Sequence, residues 1–463
     1  MTEVQKLAAF ASSHTYADLS QEAVRELKIR LLDALGCAIG ALEGPPIRNI
    51  KNQIEDFGGR PLASLIGGMQ TAPDRAAFYN SALVRYLDYN DSYLAKRETC
   101  HPSDNIGSIL AAGEYNNIDG KTFLTALGIA YQVHCRLSDV APVRHKGFDH
   151  TVQGAYACAA GVSHALGLNK QKTAHAISIA ATAYNALRVT RTGNLSNWKG
   201  LAFPSTGWTS THSAFLAMRG ITGPEEVFEG NKGFKDSIAG EFEIDWSKED
   251  LERVRHTIIK KYNAEIHSQA TLEGLIELRN EHQFDPKDID KIVLNTFDVA
   301  FHIIGGGEEG GKKNIRVKEE ADHSLPYLMA AAILDGNVLP AQYQQDRILR
   351  DDIQSLLKKV EIFEKKEYSD RFPQEEACDI SIHFKDGTVL TKEKKDYEGF
   401  HTRPASWGFI IEKFNNLARP FIDEGLRHDI IHIVKHFEDY KVSDLMNALA
   451  RVNSVSTKNI EYA

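Results

Sequence analysis

The 463-residue sequence has five cysteines, Cys37, Cys100, Cys135, Cys158 and Cys378, and no two of them form a Cys-x-x-Cys pair. So sparse and odd-numbered a set supplies neither a disulfide framework nor the ligand spacing of a zinc or iron–sulfur site, and each is expected to be a buried reduced thiol. Long hydrophobic runs are missing as well. No apolar stretch approaches the ~20 residues that a membrane span requires. The opening segment MTEVQKLAAFASSHTYADLS has neither the basic start nor the apolar core of a signal peptide, so a cytoplasmic protein is expected. There is no excess of positive charge. The formal net charge is -9 with Lys and Arg dispersed along the chain, which argues against a nucleic acid or an anionic membrane as partner. Nucleotide motifs and a nucleophile elbow are absent too, and Gly305 to Gly311 lacks the Gly-Lys-Ser/Thr ending of a phosphate loop. That stretch is expected to be a flexible loop suited to hinge or lid motion.

What remains is the ordinary balance of a globular protein, with 42% hydrophobic and 25% charged residues. The length exceeds what one core usually organises, so two domains are expected. Apolar residues recur at helical spacing from Ser20 to Leu42, where Gly44-Pro45-Pro46 stops the pattern. Further helical stretches run from Pro73 to Tyr89, Asn105 to Tyr115, Gly120 to Leu137, Thr151 to Leu166, Lys170 to Leu187 and Thr209 to Arg219. Many of their residues are small, which lets helices approach closely.

Near Lys260 the period changes. KIVLNTF, VEIFEK, CDISIHF and TVLTKEK show β-branched alternation, and the last two flank Lys385-Asp386-Gly387, whose Asp-Gly step signals a hairpin. After Arg403-Pro404 helical spacing returns, in a tail too short for a core of its own and expected to pack back on the first helices. The fold class that follows is mainly α: a large helical domain of residues 1–260 and 404–463, with an inserted α+β domain at 261–403.

Three polar clusters in the helical half could carry chemistry. In the first, Asp88 and Ser92 stand four apart and share a face if the helix continues, while His101 opens the next helix, where backbone N–H groups favour an anion. Helix capping is the better account of Ser103 and Asp104, and Asp88 with Asp91 leaves a magnesium site open as a minority reading. The second cluster is Arg144-His145-Lys146-Gly147-Phe148-Asp149-His150, a cationic loop ahead of a helix or a merely solvated one. The third runs from Arg188 and Arg191 to Trp198-Lys199, read as a polar connection between helices in which Lys199 is either desolvated by Trp198 or, as is commoner, a solvated surface lysine. In the α+β part, Glu265-Ile266-His267-Ser268-Gln269 and Asp322-His323-Ser324, the latter ahead of Tyr327, add further titratable groups. Together they suit proton abstraction beside a carboxylate and protonation of a leaving hydroxyl.

Over essentially its whole length the sequence resembles the 2-methylcitrate dehydratase (MmgE/PrpD) family, which also contains cis-aconitate decarboxylase. The resemblance rests on LDYNDSYLA with HPSDNIGSILAA, GFDHTVQG, RTGNLSNWKG, FEGNKGF, AEIHSQ, ADHSLPY with LDG, and TRPASW. It implies a helical domain with an α+β lid, a homodimer, and a lyase that uses no metal and no cofactor on a small tricarboxylate. The site residues it implies are Asp88, His101, His150, Lys199, His267 and Tyr327 for catalysis and Ser92 for substrate binding; Arg188, Arg191, Gln269 and Arg403 are further candidates for substrate binding. Ser92 stands where the family has Thr, keeping the hydroxyl, and Asn263 stands where it has Pro, which loosens the backbone before His267. The activity implied is dehydration of 2-methylcitrate in propionate breakdown, with citrate or cis-aconitate as further substrates. The rival readings are cis-aconitate decarboxylation, epimerisation of a related dicarboxylate, and a non-catalytic carboxylate-binding protein. An aconitase-like hydratase would require the missing Cys-x-x-Cys.

Overall fold

The change of period near Lys260 corresponds to a change of architecture. The computed structural model describes residues 1–452; residues 453–463, which the expected helical domain includes, lie outside the described residues. The protein is mainly α, with 59% of residues helical and 9% in strands, as its sequence pattern predicts. Two units divide it. One comprises Met1–Thr190, Gly200–Thr257 and the chain from Ser406 onward; the other comprises Arg191–Lys199 and Ile258–Ala405.

In the first unit the helices start where polar caps allow. Ser20, Asp119 and Asn169 accept the backbone N–H of Ala23, Thr122 and Lys172, and open the helices Gln21–Gly40, Gly120–Val140 and Lys170–Ala183. Small residues set the spacing between them. A Cβ at Gly161 of helix Thr151–Ala165 would meet Ala126 O, Ala130 Cβ and Ile109 Cδ1, each at 3.0 Å, so three helices close on one point. Gly107 of helix Ile106–Tyr115 leaves even less room, with Ser81 N only 2.4 Å from where a Cβ would stand. The tail belongs to this core: Lys413 on helix Trp407–Ala418 lies 2.7 Å from Asp33 on the second helix, both buried.

The second unit is built on a four-stranded sheet. Val360–Glu364 pairs parallel with Ile289–Thr296, which pairs antiparallel with Cys378–Phe384, which pairs antiparallel with Val389–Lys394. The hairpin between the last two strands turns at Asp386-Gly387. Gly387 takes φ +89°, and Asp386 Oδ1 accepts the Thr388 N–H at 2.9 Å. Alternate residues of Cys378–Phe384 are buried, which fixes the register.

Three expected helix boundaries are corrected. The helix from Pro73 ends at Tyr86, because Asp88 adopts a left-handed backbone at φ +56°; Asp88 and Ser92 therefore do not share a helical face. The helix from Lys170 stops at Ala183, before the extended Tyr184. The helix expected from Thr209 begins eleven residues earlier at Trp198, running through Pro204 at the expense of one backbone hydrogen bond. Lys199 thus sits on a helix rather than in a loop. The five cysteines are buried and form no disulfide, as expected from their spacing.

Candidate active site

Each unit gathers its own polar cluster. In the first unit the chain leaves helix Pro73–Tyr86 and immediately turns through Asp88. A left-handed backbone costs a non-glycine residue about 1 kcal/mol and persists only where neighbours enforce it. Arg85, one turn back, pairs with the Asp88 carboxylate at 2.5 Å, and both are buried.

The next residues brace His101. Asn90 Nδ2 donates to Ser103 Oγ and to Asp104 Oδ1, both at 2.8 Å. Asp91 accepts the Ser103 N–H on one oxygen at 3.1 Å and the Tyr131 hydroxyl on the other at 2.7 Å. Its carbonyl oxygen lies 2.8 Å from His101 Nδ1, and Ser92 Oγ lies 3.0 Å from the same nitrogen. A carbonyl only accepts, so Nδ1 carries the proton and the neutral ring holds its lone pair on Nε2. This is how the residue type serves the chemistry: backbone and hydroxyl select the tautomer that can take a proton. His150 stands edge-on to His101 with ring centroids 5.4 Å apart, and its Nδ1 is 3.3 Å from Asp149 Oδ1. Asp149 N–H donates to Ala186 O at 2.9 Å and Arg188 N–H to Gly147 O at 2.9 Å, so the Arg188 segment is tied to the His150 loop.

Below this cluster lies Asp104, fully buried. Burial pushes its carboxyl up to about 7, with Arg85 and Asn90 offsetting part of the rise.

In the second unit Lys199 is buried against Asp322 and His323. Its Nζ is 2.6 Å from Asp322 Oδ1 and 2.8 Å from His323 Nδ1, and that nitrogen is itself 2.9 Å from Asp322 Oδ1. Lys318 holds the other carboxylate oxygen at 2.9 Å. Burial acts to raise the Asp322 carboxyl, but Lys199 and Lys318 outweigh it and hold the group well below the usual carboxylate range. A proton passing between amine and imidazole here stays beside the same anion, which keeps the transfer inexpensive.

Asp322 O also accepts the Glu265 N–H at 3.1 Å, which links this triad to a second pair. Glu265 accepts the His267 N–H at 2.8 Å and faces His267 Nδ1 at 2.7 Å. The imidazole lies beside the stacked rings of Phe297 and Phe372, with centroids 5.8 and 5.6 Å away. Burial would raise Glu265; His267, then His323 and Lys260, bring it down to about 2.

The two clusters thus contain seven of the residues singled out from the sequence: Asp88, Ser92, His101, His150, Lys199 and His267 with their partners, and Arg188 through its backbone. Arg191 is buried at the end of the single turn Arg188–Arg191. Three others are placed elsewhere. Tyr327 is fully buried in the first turn of helix Leu325–Asp335, and its hydroxyl donates to Gln342 O. Gln269 accepts the N–H groups of Lys261 and Tyr262 at 2.9 Å each and donates back to Tyr262 O at 3.1 Å, so its amide is spent on the backbone. Arg403 is half-exposed and paired with Glu273 at 2.8 Å and Asp396 at 3.3 Å. Trp198 is 48% exposed, so the desolvation of Lys199 comes from its own burial beside Asp322 and His323 and not from that ring.

Arg85 goes unremarked in the sequence; Asp91 stands there only as a magnesium candidate, and Glu265, Asp322 and His323 only as further titratable groups. The last four stand inside the quoted motifs, but only the contacts reveal what they hold; Arg85 precedes its motif by two residues.

Comparison with known proteins agrees in both halves. Residues 5–247 match the MmgE/PrpD N-terminal domain and residues 262–439 the MmgE/PrpD C-terminal domain. The chain is 30% identical to a 2-methylcitrate dehydratase of Escherichia coli (strain K12) over 426 residues, 84% of this chain and 85% of that protein. It is 28% identical to a mitochondrial 2-methylcitrate dehydratase of Yarrowia lipolytica over 448 residues, 91% and 85% of the two chains. It is 25% identical to a cis-aconitate decarboxylase of Mus musculus over 470 residues, covering 94% and 91%. Among the described residues no helix is long and apolar enough to cross a membrane.

Proposed function

This chain belongs to the MmgE/PrpD family, and from that premise we propose that it is a hydro-lyase that removes water from 2-methylcitrate to give 2-methylaconitate. The observation that carries the chemistry is the contact of His101 Nδ1 with the Asp91 carbonyl oxygen at 2.8 Å, because it makes Nε2 the basic nitrogen. In this reading His101 takes the proton from the carbon α to a carboxylate. The C–H electron pair becomes the new C=C bond, and the C–O pair departs with the hydroxyl. His150, held by Asp149, supplies the proton that turns that hydroxyl into water. Lys199 and His267 neutralise substrate carboxylates, so the carbon acid ionises with less charge build-up. Ser92, Arg188 and Arg191 add hydrogen bonds and positive charge, and Asp88 orients the groups beside it. Gln269 and Tyr327 act at one remove by holding the backbone of the second unit, and Arg403 by pairing with Glu273 and Asp396.

The proposal extends to matters that rest on the family resemblance: residues 1–260 with 404–463 as a helical body and 261–403 as a lid, no metal ion or cofactor, a cytoplasmic homodimer, and a place in propionate breakdown through the methylcitrate cycle.

The relative that acts as a cis-aconitate decarboxylase defines the test, since the same groups could protonate the carbanion left by departing carbon dioxide. Purified protein is given racemic 2-methylcitrate and cis-aconitate in parallel, with the conjugated alkene and carbon dioxide both measured. The proposal expects alkene from the first substrate and no carbon dioxide from either. Carbon dioxide released from cis-aconitate, without turnover of 2-methylcitrate, would replace it with the decarboxylase reading.

A further inference from the structure

One buried cation takes no part in the scheme above. Lys413 lies on the tail helix Trp407–Ala418, more than 300 residues along the chain from the loop that carries Asp88. Its Nζ donates to Tyr89 O at 2.8 Å, sits 3.7 Å from the centroid of the Tyr89 ring, and pairs with Asp33 Oδ1 at 2.7 Å. Both Lys413 and Asp33 are buried, at 6% and 1% exposure.

The location of the Tyr89 carbonyl gives this contact its meaning. It stands between Asp88, whose backbone is left-handed at φ +56°, and the run Asn90-Asp91-Ser92, each of which touches His101 or the segment following it. Arg85 holds the strained turn from the side of the preceding helix. On the opposite side, the structure assigns to Lys413 the role of a positioning residue: its ammonium pins the carbonyl of Tyr89 and thereby sets where the Asp91 carbonyl meets His101 Nδ1.

Charge and geometry favour this role over a purely stabilising one. A buried ion pair is a weak source of stability, and two apolar side chains of similar volume replace it at little cost. An ammonium has three donors. Asp33 occupies one and Tyr89 O another, with the aromatic face beside them, so the same group that neutralises Asp33 also fixes the loop. Removing both charges together spares the fold while leaving the loop without its anchor.

The inference rests on the reading of His101 as base, and its test separates the two. The variants are Lys413→Met, Asp33→Leu and the double variant Asp33→Leu/Lys413→Met, with His101→Ala as a reference. Unfolding midpoints and steady-state kinetics on 2-methylcitrate are measured for all of them. Lys413→Met alone leaves Asp33 uncompensated and is expected to lower both stability and kcat. The double variant is expected to recover the wild-type unfolding midpoint but to keep a kcat depressed by ~10-fold to 10²-fold at nearly unchanged KM, as for a small misplacement of a catalytic group. A double variant that regains both stability and wild-type kcat would overturn the positioning role, because Lys413 would then have mattered only through the fold. A His101→Ala variant that turns over 2-methylcitrate as fast as the wild type would instead overturn the reading on which the inference stands.

Discussion

Glu265 grips His267 twice, accepting its backbone N–H at 2.8 Å and facing its Nδ1 at 2.7 Å. The double grip fixes both the position of the residue and the tautomer of the ring, and His267 Nε2 is left without a hydrogen-bond partner among the described residues. A carboxylate that orients an imidazole in this way matters to catalysis far more than its distance from substrate would suggest. Glu265→Gln keeps size and shape but removes the charge, and is expected to lower kcat by ~10²-fold to 10⁴-fold. Steady-state kinetics decide it: a loss under threefold would show that His267 does not depend on its partner.

Lys199 makes a second prediction. Breaking one side of a buried ion pair usually costs ~3–5 kcal/mol because the other charge is stranded. Asp322, however, keeps Lys318 and His323 at 2.9 Å each. Lys199→Met should therefore remain folded at room temperature, with kcat/KM reduced by ~10²-fold to 10³-fold through loss of carboxylate neutralisation. Circular dichroism and kinetics on the same sample check both halves; an unfolded variant would show that Lys199 carries more of the charge balance than its two neighbours can replace.

The sequence discloses the fold better than it discloses these partnerships, for physical reasons. Helical spacing before Lys260 and alternation after it reflect which face of each element is buried, and that pattern survives in any linear reading. The Asp386-Gly387 turn is equally local. Helix ends are different. The helix from Pro73 stops at Tyr86 because Arg85 and Lys413 hold the turn through Asp88 and Tyr89, and Lys413 comes from the far end of the chain. The polar stretch before Lys199 conceals a helix start at Trp198, since Pro204 reads as a breaker. Motif membership locates His101, His150 and Lys199. It does not reveal that Asp91 selects the His101 tautomer through a backbone oxygen, or that the Tyr327 hydroxyl is spent on Gln342 O.

Asp104 gives stability a distinctive pH dependence. Its carboxyl titrates near 4 in the unfolded chain and is pushed up to about 7 by burial in the folded one, against the pull of Arg85. Between those values the folded state holds a proton that the unfolded state has shed. This contribution therefore falls as pH rises from about 4 to about 7 and is level beyond. Asp104→Asn removes the titration, so its unfolding free energy should gain on the wild type between pH 5 and pH 8, on the order of 2 kcal/mol. Denaturant titrations at the two pH values measure the gain; a difference between variant and wild type that is the same at both would contradict it.

Gly107 supports the same region by being small. Ser81 N and Asn80 C lie 2.4 and 2.7 Å from where a Cβ would stand, and backbone cannot step aside as a side-chain tip can. Gly107→Ala should cost ~1–3 kcal/mol despite its better helix propensity. The urea midpoint should fall with the m-value unchanged. A midpoint at or above that of the wild type would mean that the two helices have slack to separate.

The central claim, water elimination carried by histidines and a lysine without metal, is tested most directly by the turnover of racemic 2-methylcitrate by protein exhaustively treated with chelator and verified metal-free by elemental analysis. The account predicts that the conjugated alkene appears at the rate of untreated protein and that His101→Ala abolishes it. Activity that disappears on chelation and returns with iron or another added metal ion would contradict it.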